Sequence, residues 1–318
     1  MEQESPQLGF EEGYVTVSGA RVFYVHAGSG PPMLLIHGLV GSSANWRQMI
    51  PSLAKHASVY AIDLLNMGRS QRMGGLDPRL RPTARRIVGV MDALHLNQAD
   101  VVAHSHGGAV ALMLVSLYPK RVRNLILFAP ANPFSHNSDP MIRLYSTPWG
   151  GLLAWTLPYL PGHWQRVVLG RMYGGTERVL DRCLEEIVHC LRNPGTLRYV
   201  LCILRCWFTE MSRLASALQR IRKKRILLVW GDHDYTVSLR SGMKLHRKLR
   251  ASELVVIRGA GHSAFEEMAE RSSQIVLSWL SGEPVAWVAP GKEACPEPAA
   301  KTVLNPPQTV LNPLSHSM

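Results

Sequence analysis

The stretch Asp100-Val101-Val102-Ala103-His104-Ser105-His106-Gly107-Gly108-Ala109-Val110 decides the fold. Its apolar, β-branched beginning reads as a short buried strand, and it passes without a spacer into apolar residues at helical spacing from Gly107 to Tyr118. A strand that turns straight into a helix brings two backbones close together, so the apex needs small residues beside it. Ala103 and Gly107 meet that need. Ser105 then stands at the helix N-terminus, where the dipole and the first N–H groups favour negative charge. Taken alone, a serine among small residues serves equally well as a helix cap. The neighbouring segments have to discriminate.

Working outward, apolar runs of strand length recur at Tyr14–Val17, Val22–His26, Met33–Ile36, Val59–Ile62, Val101–Ala103, Leu125–Phe128, Ile226–Trp230 and Leu254–Ile257. Helix-like stretches at Ala44–His56, Pro82–Leu94, Gly107–Tyr118, Arg240–Leu249 and Ala264–Leu280 lie between or after them. This alternation predicts an α/β fold: a mostly parallel central sheet of about eight strands with helices on both faces, its first two strands forming an antiparallel edge. Between Pro133 and Leu218 the alternation stops, and a Trp-, Leu- and Pro-rich stretch gives way to helical patterns at Glu177–Leu191 and Leu197–Thr209. An excursion placed between two strands is what a helical lid over the carboxyl ends of the sheet would look like. The expected division is a core in two parts, 1–133 and 219–282, a helical lid over 134–218, and a Pro/Ala-rich tail over 283–318. In that tail Thr302-Val303-Leu304-Asn305-Pro306 recurs as Thr309-Val310-Leu311-Asn312-Pro313, a composition expected to be disordered or loosely attached.

Three other strand ends carry distinctive residues. Leu34-Leu35-Ile36-His37-Gly38-Leu39 is a buried strand ending in His-Gly. Asp63-Leu64-Leu65-Asn66-Met67-Gly68-Arg69-Ser70 follows the next strand, with Asn66 suited to a left-handed backbone. Far downstream, Ile226–Trp230 runs into Gly231-Asp232-His233-Asp234, and Leu254–Ile257 leads to Gly259-Ala260-Gly261-His262-Ser263.

Together these segments, over about Gly13 to Gly282, resemble the α/β-hydrolase family. The first stretch is similar to its nucleophile elbow, G-x-S-x-G, with Ala103 in place of the first glycine. The resemblance implies a catalytic triad of Ser105, Asp234 and His262, in the family's chain order, with Asp232 the competing acid. It implies oxyanion donors on the backbone N–H groups of Leu39 and His106, with His37, Gly38 and Gly107 in support, His37 bracing the loop. The Asp63 turn reads as structural, and His104 and His106 as packing or orienting side chains. A serine nucleophile, rather than a carboxylate, disfavours the dehalogenase and epoxide hydrolase branches.

Composition bounds the rest. The 318 residues are 46% hydrophobic, enough for a sizeable core. Met1–Glu12 holds no basic stretch leading into an apolar run, so no secretory signal is expected and a cytoplasmic location is inferred. The most apolar stretch, Trp149–Trp164, is interrupted by Pro158 and Pro161, which argues against a spanning helix. Cys183, Cys190, Cys202 and Cys206 have helical spacing and are expected as buried thiols; no CxxC pair marks a metal site. No metal and no cofactor are therefore expected. Net charge is +12, with a basic run at Arg220, Arg222, Lys223, Lys224 and Arg225. It reads as the solvated approach to a strand; nucleic acid is not expected as a partner, and weak membrane-surface association stays open. The oligomeric state is not legible.

The expected activity is hydrolysis of a small to medium apolar carboxylic ester, with the lid's Trp149, Trp155, Tyr159 and Trp164 either packing on the core or lining an acyl pocket. A thioester, a carbon–carbon bond beside a ketone, or peracid formation are alternatives for the same triad. A binding protein without turnover is the reading from another class.

Overall fold

A computed structural model describes residues 9–135, 140–145, 147–173, 185–221 and 223–283. The repeats of the tail, residues 177–184 of the expected helix, Cys183 and Arg222 lie outside the described residues. Eight strands form one sheet: β1 (Glu11–Val17), β2 (Ala20–Ala27), β3 (Pro32–Ile36), β4 (Ser58–Ile62), β5 (Ala99–His104), β6 (Val122–Phe128), β7 (Ile226–Gly231) and β8 (Ser252–Ile257). They lie in the order β1-β2-β4-β3-β5-β6-β7-β8, antiparallel at β1/β2 and β2/β4 and parallel from β4 onward.

Successive side chains of a strand point to opposite faces, and the central strands use both for burial. Leu34 and Ile36 of β3, Val101 and Ala103 of β5, and Leu228 and Trp230 of β7 enter one core with the helices Leu80–Ala93, Ser105–Leu117 and Leu239–Lys248. Met33, Leu35, Val102, Leu227 and Val229 enter the other, with Ile50–Leu53 and Ala269–Ser281. Unbroken apolar runs, rather than alternation, are the signature of this two-sided burial. All parallel strands end on the same edge, so the turns after β3, β5, β7 and β8 gather there.

Two helices expected as continuous are divided. Ala44–His56 is a 3-10 turn, Ser43–Trp46, followed by a short helix, Ile50–Leu53, with Pro51 in its first turn; a proline has no N–H with which to continue a preceding helix. Ala264–Leu280 is split into Ala264–Glu267 and Ala269–Ser281 at Met268, whose φ of −133° is not helical.

Between β6 and β7 the described insertion is helical: Pro140–Tyr145, Pro148–Ala154, Gly162–Tyr173, residues 185–191 and Pro194–Ala217. The last is longer than its pattern indicated because Asn193 caps it, accepting from the N–H groups of Gly195 and Thr196, and Pro194 starts it. Its buried stripe, Leu197, Val200, Leu201, Leu204, Trp207, Met211 and Leu214, packs toward Ser105–Leu117. The expectation of buried thiols is corrected here: Cys202 is exposed on this helix, and Cys190 and Cys206 are only half-buried. The insertion's aromatics divide: Trp155 packs against the core, as one reading expected, while Trp149, Tyr159 and Trp164 point to solvent and fit neither reading.

The basic run behaves as a solvated approach to β7. Arg220 and Lys223 are exposed, Lys224 donates to the Val122 carbonyl, and Arg225 lies 4.1 Å over the Trp279 ring.

Candidate active site

Ser105 is the apex of the turn between β5 and its helix, held at φ +51°. A non-glycine residue there is strained, and such strain persists only where the surroundings over-determine it. They do so here through close packing. A Cβ on Gly107 would collide with the carbonyl oxygen of His37, and one on Gly108 would come within 2.5 Å of Pro130 Cβ. The helix start is thus pressed against the ends of β3 and β6, and Ser105 is pushed out into the cavity.

The loops after β7 and β8 bring two more side chains to it. His262 Nε2 is 3.0 Å from Ser105 Oγ, and His262 Nδ1 is 2.8 Å from Asp234 Oδ2. The second Asp234 oxygen accepts from the N–H groups of Thr236 (2.9 Å) and Val237 (2.8 Å). All four contacts agree with an ionised Asp234, a His262 ring protonated at Nδ1, and an Nε2 that accepts from the serine hydroxyl. Asp232 does different work: its Oδ1 accepts from Gly259 N–H at 2.7 Å and ties the two loops together.

The β3 end supplies the facing wall. His37 donates from Nδ1 to the Gly38 carbonyl at 2.7 Å and accepts at Nε2 from Leu64 N–H at 3.0 Å, so it is a neutral brace. Burial holds its pKa below the ordinary value. Gly38 is required by proximity, because its Cβ would lie 2.9 Å from His104 Nδ1. Leu39 and His106 both line the cavity beside Ser105. Asp63 accepts from Ser43 N–H (2.5 Å) and Arg69 N–H (2.6 Å), and Asn66 takes the left-handed φ of +68°. This turn is structural, as its sequence indicates.

His104 donates from Nε2 to the His262 carbonyl at 3.1 Å, steadying the loop that carries that ring. Burial first, and the nearby His262 second, push the His104 pKa well down. His106, stacked 6.1 Å from Trp207, is pushed down to about 4, mainly by burial. Both rings are therefore neutral when folded but protonate near the ordinary histidine value of about 6.5 once unfolded. The unfolded chain gains protons first as pH falls, so stability present above pH 6.5 is lost on the way to about pH 4. For His106 alone the loss is about 3 kcal/mol. Urea midpoints measured at pH 7 and pH 4.5 should differ accordingly, and the difference should shrink in His106→Gln; equal drops in both proteins would exclude this account.

Several residues at the site carry no sequence signal. Glu267 accepts from Gly261 N–H at 2.8 Å and braces the His262 loop, its carboxyl pKa raised by burial. Asn45 donates to Glu266 at 2.6 Å across 221 positions. Glu186, Ile187, Cys190, Leu204 and Trp207 of the insertion complete a cavity of about 100 Å³ over Ser105. Two buried ring nitrogens on its wall, His106 Nδ1 and Trp207 Nε1, have no hydrogen-bond partner among the described residues.

Comparison with known proteins gives matches over most of the chain. A model of the alpha/beta hydrolase fold matches residues 31–156, and a model described as TAP-like protein matches residues 200–281. The 2-hydroxymuconate semialdehyde hydrolase of Pseudomonas sp. (strain CF600) is 28% identical over 88% of this chain and 96% of its own length. The 2-hydroxy-6-oxo-2,4-heptadienoate hydrolase of Pseudomonas putida is 27% identical over 86% of this chain and 98% of its own. Among solved structures, 2-hydroxy-6-oxo-6-phenylhexa-2,4-dienoate hydrolase from Rhodococcus sp. superposes with a TM-score of 0.74 at 21% identity, covering 86% of this chain and all of that one.

Proposed function

The chain belongs to the α/β-hydrolase fold family, and on that footing we propose that it is a serine hydrolase cleaving a neutral or weakly polar carboxylic ester through an acyl-enzyme on Ser105. The observation that carries this reading is the relay from Ser105 through His262 to Asp234, with contacts of 3.0 and 2.8 Å at the floor of a cavity.

His262 Nε2 takes the hydroxyl proton as Ser105 Oγ attacks the carbonyl carbon, and Asp234 stabilises the imidazolium and holds its tautomer. The oxyanion forms against the backbone N–H groups of Leu39 and His106, with Gly38 and Gly107 allowing that approach and His37 bracing it. His262 then returns its proton to the leaving alkoxide. Water, deprotonated by the same ring, attacks the acyl carbon and releases the acid and free Ser105. The core is assigned to 1–133 and 219–282, and 134–218 acts as a lid whose inner side closes the cavity.

The described wall favours an uncharged substrate. Its carboxylates are already engaged, Glu186 by Arg47 at 3.0 Å and Glu266 by Asn45 at 2.6 Å, while Leu39, Val40, Ile187 and Leu204 continue into a second apolar space bounded by Ala154 and Leu157. That extension suits an acyl chain. His106 Nδ1 and Trp207 Nε1 await a polar partner, which an ester or keto oxygen supplies.

A second reading, hydrolysis of a carbon–carbon bond beside a ketone, is favoured by the relatives, which are named as hydrolases of 2-hydroxymuconate semialdehyde and of 2-hydroxy-6-oxo-2,4-heptadienoate. The same relay would serve it. Rates on a chain-length series of p-nitrophenyl esters, set beside a 2-hydroxy-6-oxo-dienoate, separate the two. The ester reading expects the larger kcat/KM on an ester of medium chain length; ester rates at background with rapid dienoate turnover would overturn it in favour of the second.

A further inference from the structure

The helix Pro148–Ala154 is turned inside out. Its small residues Gly150, Gly151 and Ala154 face the protein, and a Cβ on Gly150 would collide with the Leu144 carbonyl oxygen. Its large apolar residues Trp149, Leu152 and Leu153, spaced i, i+3, i+4, face outward, Trp149 being 81% exposed and Leu152 65%. An ordinary surface helix does the reverse. The next elements extend the same character: Tyr159 is 71% exposed, and Trp164 and Val167 stand on one side of the helix Gly162–Tyr173. Six large apolar side chains clustered within 19 consecutive positions exceed the scattered exposure of a typical soluble surface.

The segment that carries this face bears charge of one sign. From Pro140 to Tyr173 the sequence contains Arg143, Arg166 and Arg171 and neither Asp nor Glu. On the neighbouring helix Pro194–Ala217, Arg205 reaches to 3.3 Å from where a Cβ on Gly151 would stand, and Arg198 lies 5.8 Å from the Trp155 ring centre. Tryptophan, tyrosine and leucine rimmed by arginine is the composition of a helix that lies in a membrane interface, its rings at headgroup depth and its cations against anionic lipid. No helix among the described residues is long and apolar enough to cross a membrane, and interfacial attachment requires none.

We propose that the outward face of Pro148–Tyr173 docks the protein on an anionic bilayer surface, with Trp149, Leu152, Leu153, Tyr159 and Trp164 entering the headgroup region and the surrounding arginines pairing with lipid phosphates. This is independent of the assignment of Ser105 as nucleophile, because none of these side chains belongs to the relay.

The full-length chain is mixed with vesicles of phosphatidylcholine alone and with about 30 mol % phosphatidylglycerol added, and bound protein is measured by sedimentation. Wild type is expected on the anionic vesicles at least about tenfold more strongly than on the neutral ones, with release by salt and a blue shift of tryptophan emission. Trp149→Ser/Leu152→Ser/Leu153→Ser, all at exposed positions, should lose that binding about tenfold or more while retaining the wild-type melting midpoint. Arg143→Glu/Arg205→Glu should weaken it separately and reduce its salt dependence. Absence of wild-type binding, or equal binding by the triple variant, would overturn the proposal. So would a wild-type dimer that the triple variant converts to monomer without either binding vesicles, since the face would then join two copies of this chain.

Discussion

Replacing Ser105 by alanine is expected to lower kcat on the best ester by about 10⁶-fold, with KM and the melting midpoint close to wild type. The size follows from what is removed. Without Oγ no acyl-enzyme forms, and His262 and Asp234 lose the group they activate, so members of such a relay fail together rather than additively. A residual acceleration of about 10³ over the uncatalysed rate should persist, because the proposed oxyanion donors on Leu39 and His106 are left in place. Stability should change little or rise slightly: alanine removes one hydroxyl at a position whose φ of +51° is imposed by packing around Gly107 and Gly108. Steady-state kinetics with active-site titration by a fluorophosphonate checks this. Equal labelling of the variant and wild type, or a loss of only a few-fold, would remove Ser105 from the mechanism.

Asp234→Asn is expected to cost about 10⁴-fold in kcat, whereas Asp232→Asn should leave kcat within a few-fold of wild type. The two positions are two residues apart but do opposite things. Asp234 Oδ2 accepts a hydrogen bond from His262 Nδ1–H at 2.8 Å. An amide placed there presents an N–H toward the ring and favours the tautomer protonated at Nε2, which cannot accept from Ser105. Its other oxygen can still accept from Thr236 and Val237, so the loop should keep its shape. Asp232 holds Gly259 N–H at 2.7 Å and lies 3.8 Å from His233 Nδ1, away from the His262 ring, and its loss is expected as roughly 1 kcal/mol of stability. Comparing kcat and urea midpoints for both variants assigns the acid; comparable losses of kcat would show that the loop geometry, rather than the carboxylate on His262, sets the rate.

How much of this was legible in the chain depends on sequence distance. The eight strands were readable because each is a short apolar run bounded by turn residues, and two-sided burial leaves that run uninterrupted. The antiparallel edge was readable as well, but the strand order came only from the structure. The helix breaks at Pro51 and Met268 differ in this respect. Proline announces itself, while nothing in the residue type at Met268 marks the break there, where Glu266 and Glu267 are engaged by Asn45 and Gly261. The insertion was the least legible part. Its Trp and Leu content was read as burial, and the structure turns Trp149 and Leu152 outward because Gly150 and Gly151 are the residues small enough to meet the protein.

The sequence by itself, with Asp234 and His262 picked out only by the family resemblance, determined the α/β alternation and the small-residue turn that must surround Ser105. Those follow from short-range physics: periodicity, the conformations glycine and proline permit, and the steric demand of a strand meeting a helix. Which aspartate faces the His262 ring, which nitrogen of His37 carries its proton, and which face of Pro148–Ala154 meets solvent were decided only by tertiary structure. Each depends on groups that folding brings within about 3 Å from remote parts of the chain, where desolvation makes a hydrogen bond selective and a misplaced methyl group costly.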